Sequence, residues 1–213
     1  MTIRILTLCT GNICRSPLAA QLLSIGLPSP QFQVASAGTS PVLGERMQDT
    51  MQRIADRMGV GNMPTHYATG LDQGSVAAAD LLLGMDREHR RAAARLVPSA
   101  ARRSFTLLEF AHVVSFIDEE CIKTLLETNG NRPLDVLEIV MRMRGVVPRL
   151  SPDRLYDVAD PYGRSIQVYE RSARLIERAV DQIVTFFHHT AALTDVTTGT
   201  DDALNTQDSE YPG

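Results

Sequence analysis

The sequence alternates short apolar runs with helical stretches through its first half, and this alternation constrains the fold more than any other feature. Four runs have the length and composition of buried strands, at residues 3–8, 32–35, 80–84 and 103–108. Strands joined through helices pair in parallel, because the crossover returns the chain to the same end of the sheet. The sequence therefore predicts an α/β fold, a doubly wound four-stranded parallel sheet with helices on both faces.

The second half of the chain departs from this alternation. Residues 109–152 predict a helical insertion of two helices, at 115–128 and 133–144, whose role stays open between stabilising the fold and shaping access to a ligand site. Residues 164–189 form the clearest amphipathic helix, with apolar side chains at steps of three and four. We therefore expect a single domain over residues 1–189 that contains the insertion.

Charge is distributed unevenly along the chain. The formal net charge is −4, but residues 190–213 hold five acidic side chains and no Lys or Arg, which predicts a disordered acidic tail and a nearly neutral remainder. The basic residues do not cluster, so no nucleic-acid partner is expected. No apolar run approaches the roughly 20 residues of a membrane helix, and a signal-peptide pattern is absent. A cytoplasmic location with no membrane association is expected.

Three cysteines are present: Cys9, Cys14 and Cys121. An odd number argues against a disulfide framework, so we expect reduced thiols. Cys9 and Cys14 lack the further spaced ligands of a zinc site, and neither a metal nor a cofactor is expected. The position of Cys9 at the end of a predicted strand indicates chemistry at its thiol instead.

The segment CTGNICRSP, residues 9–17, joins the first strand to a helix that begins near Pro17. Ligands bind at the carboxyl ends of parallel strands, where loop N–H groups and the helix N-terminus attract anions. Gly11 allows a tight backbone there, and Asn12 tolerates left-handed angles. Arg15 offers a planar pair of donors that matches two phosphate oxygens. The segment therefore predicts a phosphate-binding loop.

Cys9 is expected at the floor of this loop. The field that attracts a phosphate also favours the thiolate, and Ser16 can donate a hydrogen bond to it. A thiolate beneath a bound phosphate is placed for in-line attack on phosphorus. The pattern C-x5-R is weak alone, but the preceding strand, the Gly-Asn pair and the following Ser-Pro make it specific.

CTGNICRSP resembles the active-site loop of the low-molecular-weight protein tyrosine phosphatases, and further segments resemble that family in the same order along the chain. They are Ser36-Ala37-Gly38-Thr39 after the second strand, His66 in MPTHYA, Met85-Asp86 after the third strand, and Asp160-Pro161-Tyr162-Gly163, which is similar to the family's acid loop. The resemblance covers residues 1–108 and about 153–189, and it leaves out the insertion and the tail.

The resemblance implies a role for each matching residue. Cys9 attacks phosphorus and forms a cysteinyl-phosphate, Arg15 binds the phosphate, and Asp160 protonates the leaving phenolate and then activates water. Asp157 is the alternative acid. The implied phosphate-binding residues are Thr10, Gly11, Asn12, Ile13, Cys14 and Arg15, supported by Ser16, Ser36 and His66. Cys14 is implied to form a reversible disulfide with Cys9 on oxidation.

The expected pocket walls depart from the family pattern. Family members commonly carry an aromatic residue shortly after the Ser-Ala-Gly-Thr segment, whereas this chain offers Val42 and Leu43, of which Leu43 is the expected wall. Gly163 stands where the acid loop usually has a second tyrosine, which leaves Tyr162 as the aromatic wall. Less aromatic surface is therefore expected to stack on a phenyl ring.

Three other functions are compatible with the same fold. A phosphoarginine phosphatase of the family is implied to have Thr where this chain has Ile13, whose apolar side chain suits a phenyl ring. A thiol-coupled arsenate reductase needs two further downstream cysteines, and this chain has only Cys121. A phosphoprotein-binding module would lack the nucleophile, the arginine or the acid, and all three are expected here.

The partner that the resemblance implies is a tyrosine-phosphorylated protein. Some bacterial family members that act on exopolysaccharide-linked tyrosine kinases are similar in having an aliphatic residue at the pocket wall. A bacterial tyrosine kinase is therefore one candidate substrate. The protein is expected to act as a monomer or a weak dimer.

Overall fold

The computed structural model describes residues 2–27, 30–60, 64–128 and 136–201. Its centre is a parallel sheet with the strand order β2-β1-β3-β4. The strands are β1 (Ile3–Cys9), β2 (Phe32–Gly38), β3 (Leu81–Gly84) and β4 (Ser104–Thr106). The predicted fold class, a doubly wound four-stranded α/β sheet, is confirmed.

Eight α-helices lie in the part of the chain that the structure describes. They are α1 (Arg15–Gly26), α2 (Asp49–Arg57), α3 (Gln73–Ala78), α4 (Arg87–Leu96), α5 (Leu107–Val114), α6 (Glu119–Thr128), α7 (Val136–Met143) and α8 (Ile166–Asp201). None of these described helices is long and apolar enough to cross a membrane.

Both faces of the sheet are covered, and β3 shows how. Leu81 and Leu83 belong to a large apolar core with residues of α1, α2, α5 and α8, whereas Leu82 points to the opposite face and packs with residues of α3 and α4. All three side chains are fully buried. Each contributes about 1.5–3 kcal/mol by leaving water, which explains why a strand of four residues is so uniformly apolar.

The helical insertion contains three helices where the sequence predicted two. The fourth strand was predicted to reach residue 108, but it ends at Thr106, because this residue caps α5. The Thr106 hydroxyl accepts a hydrogen bond from the Glu109 amide at 3.0 Å, and the Glu109 carboxylate accepts one from the Thr106 amide at 3.2 Å. This reciprocal capping box starts a helix directly after the strand. The predicted divider, Asn129-Gly130-Asn131, lies outside the described residues.

The last helix is longer than predicted. The sequence analysis placed its end at residue 189 and a disordered tail after it, whereas α8 continues to Asp201. The Thr190 hydroxyl donates to the Phe186 and Phe187 carbonyls, and no proline follows in the helix to interrupt it. Residues 202–213 of the predicted tail lie outside the described residues.

The carboxyl ends of β1 and β3 are joined to the segment before α8. The Met85 amide donates to the Leu8 carbonyl at 2.7 Å, and the Val158 amide donates to the Met85 carbonyl at 2.8 Å. The Ser172 hydroxyl of α8 holds the next residue through the Ala159 carbonyl at 2.8 Å. These bonds bring the predicted acid segment to the edge of the sheet where β1 ends.

Candidate active site

The loop between β1 and α1 turns its carbonyl groups outward. Five consecutive carbonyl oxygens, from Cys9 to Ile13, accept hydrogen bonds from neighbouring segments. The donors, in order, are the amides of Thr39, Ser40 and Val42, the His66 ring and the amide of Gln48, at 2.9, 3.0, 3.1, 2.6 and 2.8 Å. Because the C=O and N–H of a trans peptide point in opposite directions, the loop amides are directed toward the cavity. Converging amides of this kind bind anions.

Asn12 holds the loop together from its centre. It is fully buried and has a φ of 55°, the left-handed conformation that Asn tolerates. Its Nδ2 donates to the hydroxyls of Ser16 and Ser36, each at 2.9 Å, and its Oδ1 accepts from the Thr69 amide at 2.9 Å. The structure thus brings together Asn12 and the two serines that the sequence analysis named as supports.

Replacing Asn12 with alanine should lower both stability and activity. The change removes the three hydrogen bonds of a buried side chain and places a less tolerant residue at positive φ, so we expect a loss of about 2–4 kcal/mol in the free energy of unfolding. Asn12→Gly removes the same bonds but allows the backbone angle, and should recover part of that loss. Urea unfolding of both variants measures the difference. Equal stability of Asn12→Ala and wild type would contradict this role.

Gly38 lets a second loop pack against the phosphate-binding loop. A Cβ atom at Gly38 would lie 2.6 Å from the Thr10 carbonyl oxygen, closer than such atoms approach, and at a tight 3.0 Å from the Asn12 Cβ. Only glycine allows this contact between the two backbones. The glycine of the Ser-Ala-Gly-Thr segment therefore serves the site through its lack of a side chain.

His66 supports the loop from outside. Its Nε2 lies 2.6 Å from the Asn12 carbonyl oxygen, so this nitrogen carries the proton and donates it. Burial lowers the pKa of His66, against the opposing effect of this hydrogen bond. The ring is therefore mainly neutral at pH 7 and acts as a fixed donor to the loop.

Cys9 lies buried at the end of β1, beneath the loop. Its Sγ accepts hydrogen bonds from the Asn12 amide at 3.2 Å and from the Ser16 hydroxyl at 3.0 Å. These two donors are the partners that a thiolate sulfur needs. The structure places Ser16 where the sequence analysis expected it.

Arg15 is buried and is held by the acid segment and by β3's following turn. Its Nη2 lies 2.9 Å from the Asp160 carboxylate, and its Nη1 donates to the Val158 carbonyl at 3.0 Å and lies 3.5 Å from Asp86. Its buried Nε has no acceptor within hydrogen-bond distance among the described residues. A buried donor without an acceptor is costly, and an oxygen of a bound anion would satisfy it.

Asp160 and Asp157, the two candidate acids, have different surroundings. Asp160 faces the cavity and pairs with Arg15. Asp157 instead accepts hydrogen bonds from the backbone amide and the guanidinium of Arg87, the shortest at 2.9 Å, and lies outside the cavity lining. The structure therefore brings Asp160, rather than Asp157, to the cavity above Cys9.

A cavity of about 210 Å³ opens above Cys9. Its lining residues are Cys9, Thr10, Gly11, Ile13, Cys14, Arg15, Ser40, Val42, Asp160 and Tyr162. Tyr162 lies where the sequence analysis expected an aromatic wall. Leu43, the other expected wall, is not part of the lining and is 72% exposed. Val42 takes that place, because its amide is bonded to the Gly11 carbonyl and holds its side chain against the loop.

His89 is a residue of the site that the sequence analysis missed. It is buried, with Nε2 3.0 Å from the Thr10 hydroxyl and Nδ1 2.9 Å from the Asp86 carboxylate. Burial acts to raise the pKa of Asp86, but hydrogen bonds to His89 and the charge of Arg15 outweigh it and hold the pKa below its usual value. The available signal was the three-residue spacing of Asp86 and His89, which is the spacing of a capping box at the start of α4.

Cys14 lies beside the cavity, next to Tyr169 of α8. Burial raises the pKa of the Cys14 thiol to about 12, with further contributions from the charges of Cys9 and Asp160, against a hydrogen bond with Tyr169. Burial and the neighbouring Cys14 also raise the pKa of Tyr169 to about 12. Tyr169 lies in the helix that the sequence predicted for residues 164–189, and the amphipathic pattern of that helix gave no sign of this contact with Cys14.

Cys14 should resist alkylation at pH 8. With a pKa of about 12, roughly one thiol in ten thousand is ionised at that pH, and the thiolate is the reactive form. Peptide mapping after iodoacetamide treatment should find Cys14 unmodified, and raising the pH to about 10 should speed its modification about a hundredfold. Modification of Cys14 at pH 8 as fast as a free cysteine would contradict this assignment.

The remaining cysteine stands apart from the site. Cys121 belongs to α6 in the insertion, with its Sγ 4.0 Å from the Met143 sulfur, and it does not line the cavity. Within the described residues, no group of three or more His, Cys, Asp or Glu side chains is arranged to hold a metal ion.

A buried cysteine under an anion-binding loop at the carboxyl end of a parallel strand is suited to the hydrolysis of phosphate esters. The family model of the low molecular weight phosphotyrosine protein phosphatases matches residues 4–118, more than half of the chain. The protein belongs to this family and is an enzyme of the phosphoric monoester hydrolase class.

Similar proteins include both tyrosine and arginine phosphatases. The chain is 35% identical over 111 residues to "Probable low molecular weight protein-tyrosine-phosphatase AmsI" of Erwinia amylovora, covering 52% of this chain and 73% of that protein. It is 26% identical over 183 residues to the "Protein-arginine-phosphatase" of Geobacillus stearothermophilus, covering 86% and 95%. The solved structure of "YwlE arginine phosphatase from Geobacillus stearothermophilus" superposes with a TM-score of 0.62 at 26% identity, covering 88% and 94%.

Proposed function

We propose that the protein is a metal-independent phosphatase that hydrolyses phosphotyrosine in proteins, with Cys9 as the nucleophile. The observation that carries this proposal is the cavity of about 210 Å³, which is lined by Cys9, Arg15 and Asp160 together. The inward loop amides and the Arg15 guanidinium supply the positive charge that a phosphate dianion requires. Because these groups neutralise the phosphate charge, the proposed reaction needs no metal ion as a Lewis acid.

In the first step, the phosphoryl group binds over the loop with the Cys9 sulfur beneath it. The phosphorus–sulfur bond forms while the bond from phosphorus to the tyrosine oxygen breaks on the opposite side. Asp160 donates a proton to that leaving oxygen. The Arg15 Nε, which lacks an acceptor among the described residues, is the donor available to a phosphoryl oxygen.

In the second step, Asp160 accepts a proton from water, which attacks phosphorus and breaks the phosphorus–sulfur bond. The sulfur leaves as a thiolate, and the Ser16 hydroxyl at 3.0 Å from it stabilises the negative charge. Inorganic phosphate and the free thiolate are the products. This step uses the same residues as the first, with the acid acting as base.

The ion pair between Arg15 and Asp160 suggests how substrate prepares the acid. Without substrate, the Asp160 carboxylate lies 2.9 Å from the Arg15 Nη2. A bound phosphate competes for this guanidinium, since it carries more charge than a carboxylate. The displaced Asp160 side chain, which is half-exposed, can then face the leaving oxygen.

The cavity wall favours a phenyl ring over a guanidinium. Ile13 and Val42 present apolar side chains, and Tyr162 offers an aromatic one. A phenyl ring packs on such surfaces without leaving polar groups unpaired, whereas a guanidinium there would need acceptors for its N–H groups. Phosphoarginine stays the second candidate substrate, because the arginine phosphatase of Geobacillus stearothermophilus matches over 95% of its length.

Three peptides of one sequence test the substrate class. They carry phosphotyrosine, phosphoarginine or phosphoserine at the same position, and phosphate release is measured in the presence of a metal chelator. We expect kcat/KM for phosphotyrosine to exceed the other two by at least about tenfold, which is a difference of about 1.4 kcal/mol in transition-state binding. Preference for phosphoarginine would establish the second candidate, and phosphate binding without hydrolysis of any peptide would indicate a binding module.

The proposed physiological substrate is a tyrosine-phosphorylated protein of the cytoplasm, with a bacterial tyrosine kinase as one candidate. The proposed catalytic unit is residues 1–189, with the insertion as part of it. The contacts of α8 with α1, α2 and α5 support this unit, because they tie the last helix into the same core as the sheet.

A further inference from the structure

A wide groove lies between α4, α5 and the segment that follows α7. Its volume is about 680 Å³, which is larger than the catalytic cavity and sufficient for several residues of an extended peptide. We call it the arginine groove after the five arginines that line it, which are Arg87, Arg90, Arg91, Arg144 and Arg149. The lining includes two carboxylates, those of Glu109 and Asp153.

A third cavity adjoins both the arginine groove and the catalytic cavity, because it shares lining residues with each of them. A connecting cavity of about 360 Å³ shares Arg87 and Arg91 with the groove. At its other end it shares Thr10, Arg15 and Asp160 with the catalytic cavity. A chain that enters the active site with its phosphorylated residue can therefore extend along the surface of α4 into the groove.

The floor of the groove carries excess positive charge. The largely buried Glu109 carboxylate pairs with Nη1 of Arg90 and with Nε of Arg144, each at 2.9 Å. The Nη2 of Arg144 donates both to the Glu109 carboxylate and to the Ser104 carbonyl, each at 3.0 Å. Two cations share one carboxylate here, so the floor attracts an additional anion.

The two outer arginines can exchange partners at low cost. Arg91 is 54% exposed and pairs with Glu88, and Arg149 is 78% exposed and lies 3.6 Å from Asp153. Exposed ion pairs of this kind contribute only about 0–1 kcal/mol each. A carboxylate of a bound peptide can therefore replace Glu88 or Asp153. Arg87, by contrast, is committed to Asp157 through several hydrogen bonds.

We propose that the arginine groove binds an acidic segment next to the phosphorylated residue of the protein substrate. Guanidinium groups bind carboxylates in a planar, two-point geometry, and the groove offers several of them along one path from the active site. Arg144 and Arg149 both belong to the insertion of residues 109–152, so the insertion contributes to substrate selection. This inference rests on the proposed hydrolysis of phosphoproteins.

Flanking charge in the substrate is the variable to test first. Phosphotyrosine peptides of equal length are compared in which four residues before, or four residues after, the phosphotyrosine are either Glu or Gln. With wild type, at least one Glu flank should raise kcat/KM about tenfold over its Gln counterpart, mainly through KM. The gain should shrink as salt concentration rises, because exposed charges are screened.

Two double variants test whether the gain in kcat/KM from Glu flanks depends on the arginine groove. Arg91→Gln/Arg149→Gln should remove most of the gain while hydrolysis of p-nitrophenyl phosphate, which has no flanking residues, is unchanged. The matched control is Arg57→Gln/Arg174→Gln, because these arginines are 65% and 57% exposed and both pair with Glu170 away from the groove. The control has the same net charge and should keep the gain.

Two outcomes would overturn the inference: equal kcat/KM for Glu and Gln flanks in wild type, or an equal loss of the gain in the control variant.

A separate binding measurement distinguishes failure of this inference from failure of the proposed function. Fluorescence anisotropy of an unphosphorylated, Glu-rich peptide should show binding to wild type that the groove variant lacks. Such binding without phosphotyrosine hydrolysis would refute the proposed function and leave the groove assignment standing. Hydrolysis of phosphotyrosine without this binding and without an effect of flanking charge would support the proposed function and refute the groove assignment.

Discussion

Replacing Cys9 with serine should lower kcat for phosphate release from phosphotyrosine by at least about ten-thousandfold. A serine hydroxyl is a much weaker nucleophile than a thiolate. Among the described residues, the hydrogen-bond partners of the Cys9 sulfur are two donors, the Asn12 amide and the Ser16 hydroxyl, so neither can act as a base that activates a serine there. The change is nearly isosteric. Binding of inorganic phosphate should therefore persist, because the loop amides and Arg15 are unchanged.

Cys121→Ser is the matched control for this variant. Cys121 lies in α6 outside the cavity, so the same chemical change there should leave kcat within about twofold of wild type. Phosphate binding, measured by calorimetry, distinguishes a lost nucleophile from a misfolded loop. Activity of Cys9→Ser above about one per cent of wild type would contradict the nucleophile assignment.

Replacing Asp160 with asparagine should slow hydrolysis of phosphotyrosine about a hundredfold to ten-thousandfold. Asparagine keeps the size of the side chain but cannot deliver a proton to the leaving oxygen. The loss should therefore depend on the leaving group. Aryl phosphates whose phenols are acidic need little protonation and should lose little activity, whereas phosphotyrosine should lose most of it. Rates for a series of aryl phosphates measure this dependence.

Asp157→Asn is the control for the acid. Asp157 holds Arg87 and lies outside the catalytic cavity, so this change should lower stability without altering how the rate depends on the leaving group. A steeper dependence in Asp157→Asn than in Asp160→Asn would transfer the role of the acid to Asp157.

The core of the fold and of the site could be predicted from local sequence. Four short apolar runs that alternate with helical stretches favour a parallel sheet, because the length and composition of the runs suit strands and the helices serve as crossovers. The segment of residues 9–17 combines a strand end, a helix start and the residues that an anion needs within nine positions. The residues that this chemistry needs are close together in the sequence, so the site could be recognised without knowing the fold.

Features that depend on distant residues could not be predicted in this way. Val42 rather than Leu43 lines the cavity because the Val42 amide donates a hydrogen bond to the Gly11 carbonyl, and these two residues are about thirty positions apart in the sequence. The role of His89 depends on a contact between α4, to which it belongs, and Thr10 in the loop after β1. Neither contact leaves a periodic pattern in the sequence.

Helix ends were the other source of error. Thr106 has high β propensity, and in a run of apolar residues it indicates a strand. Thr106 is the last residue of β4, but its hydroxyl also caps α5, so the strand ends there and Leu107 and Leu108 are helical. The partner in this cap, Glu109, lies beyond the predicted strand end. At the end of the chain, the composition beyond residue 189 suggested disorder, but weak helix formers without a proline do not force a helix to stop.

The proposed mechanism transfers the phosphoryl group from the substrate to the Cys9 sulfur before water releases it as phosphate. Its most direct test is rapid acid quenching of the enzyme during turnover of a phosphotyrosine peptide, followed by mass spectrometry of the peptide that contains Cys9. We expect a phosphoryl group on Cys9 within the first turnover, and none on the corresponding peptide of the Cys9→Ser variant. Phosphate release at the full rate with no phosphoryl group on Cys9 at any time of quenching would contradict it.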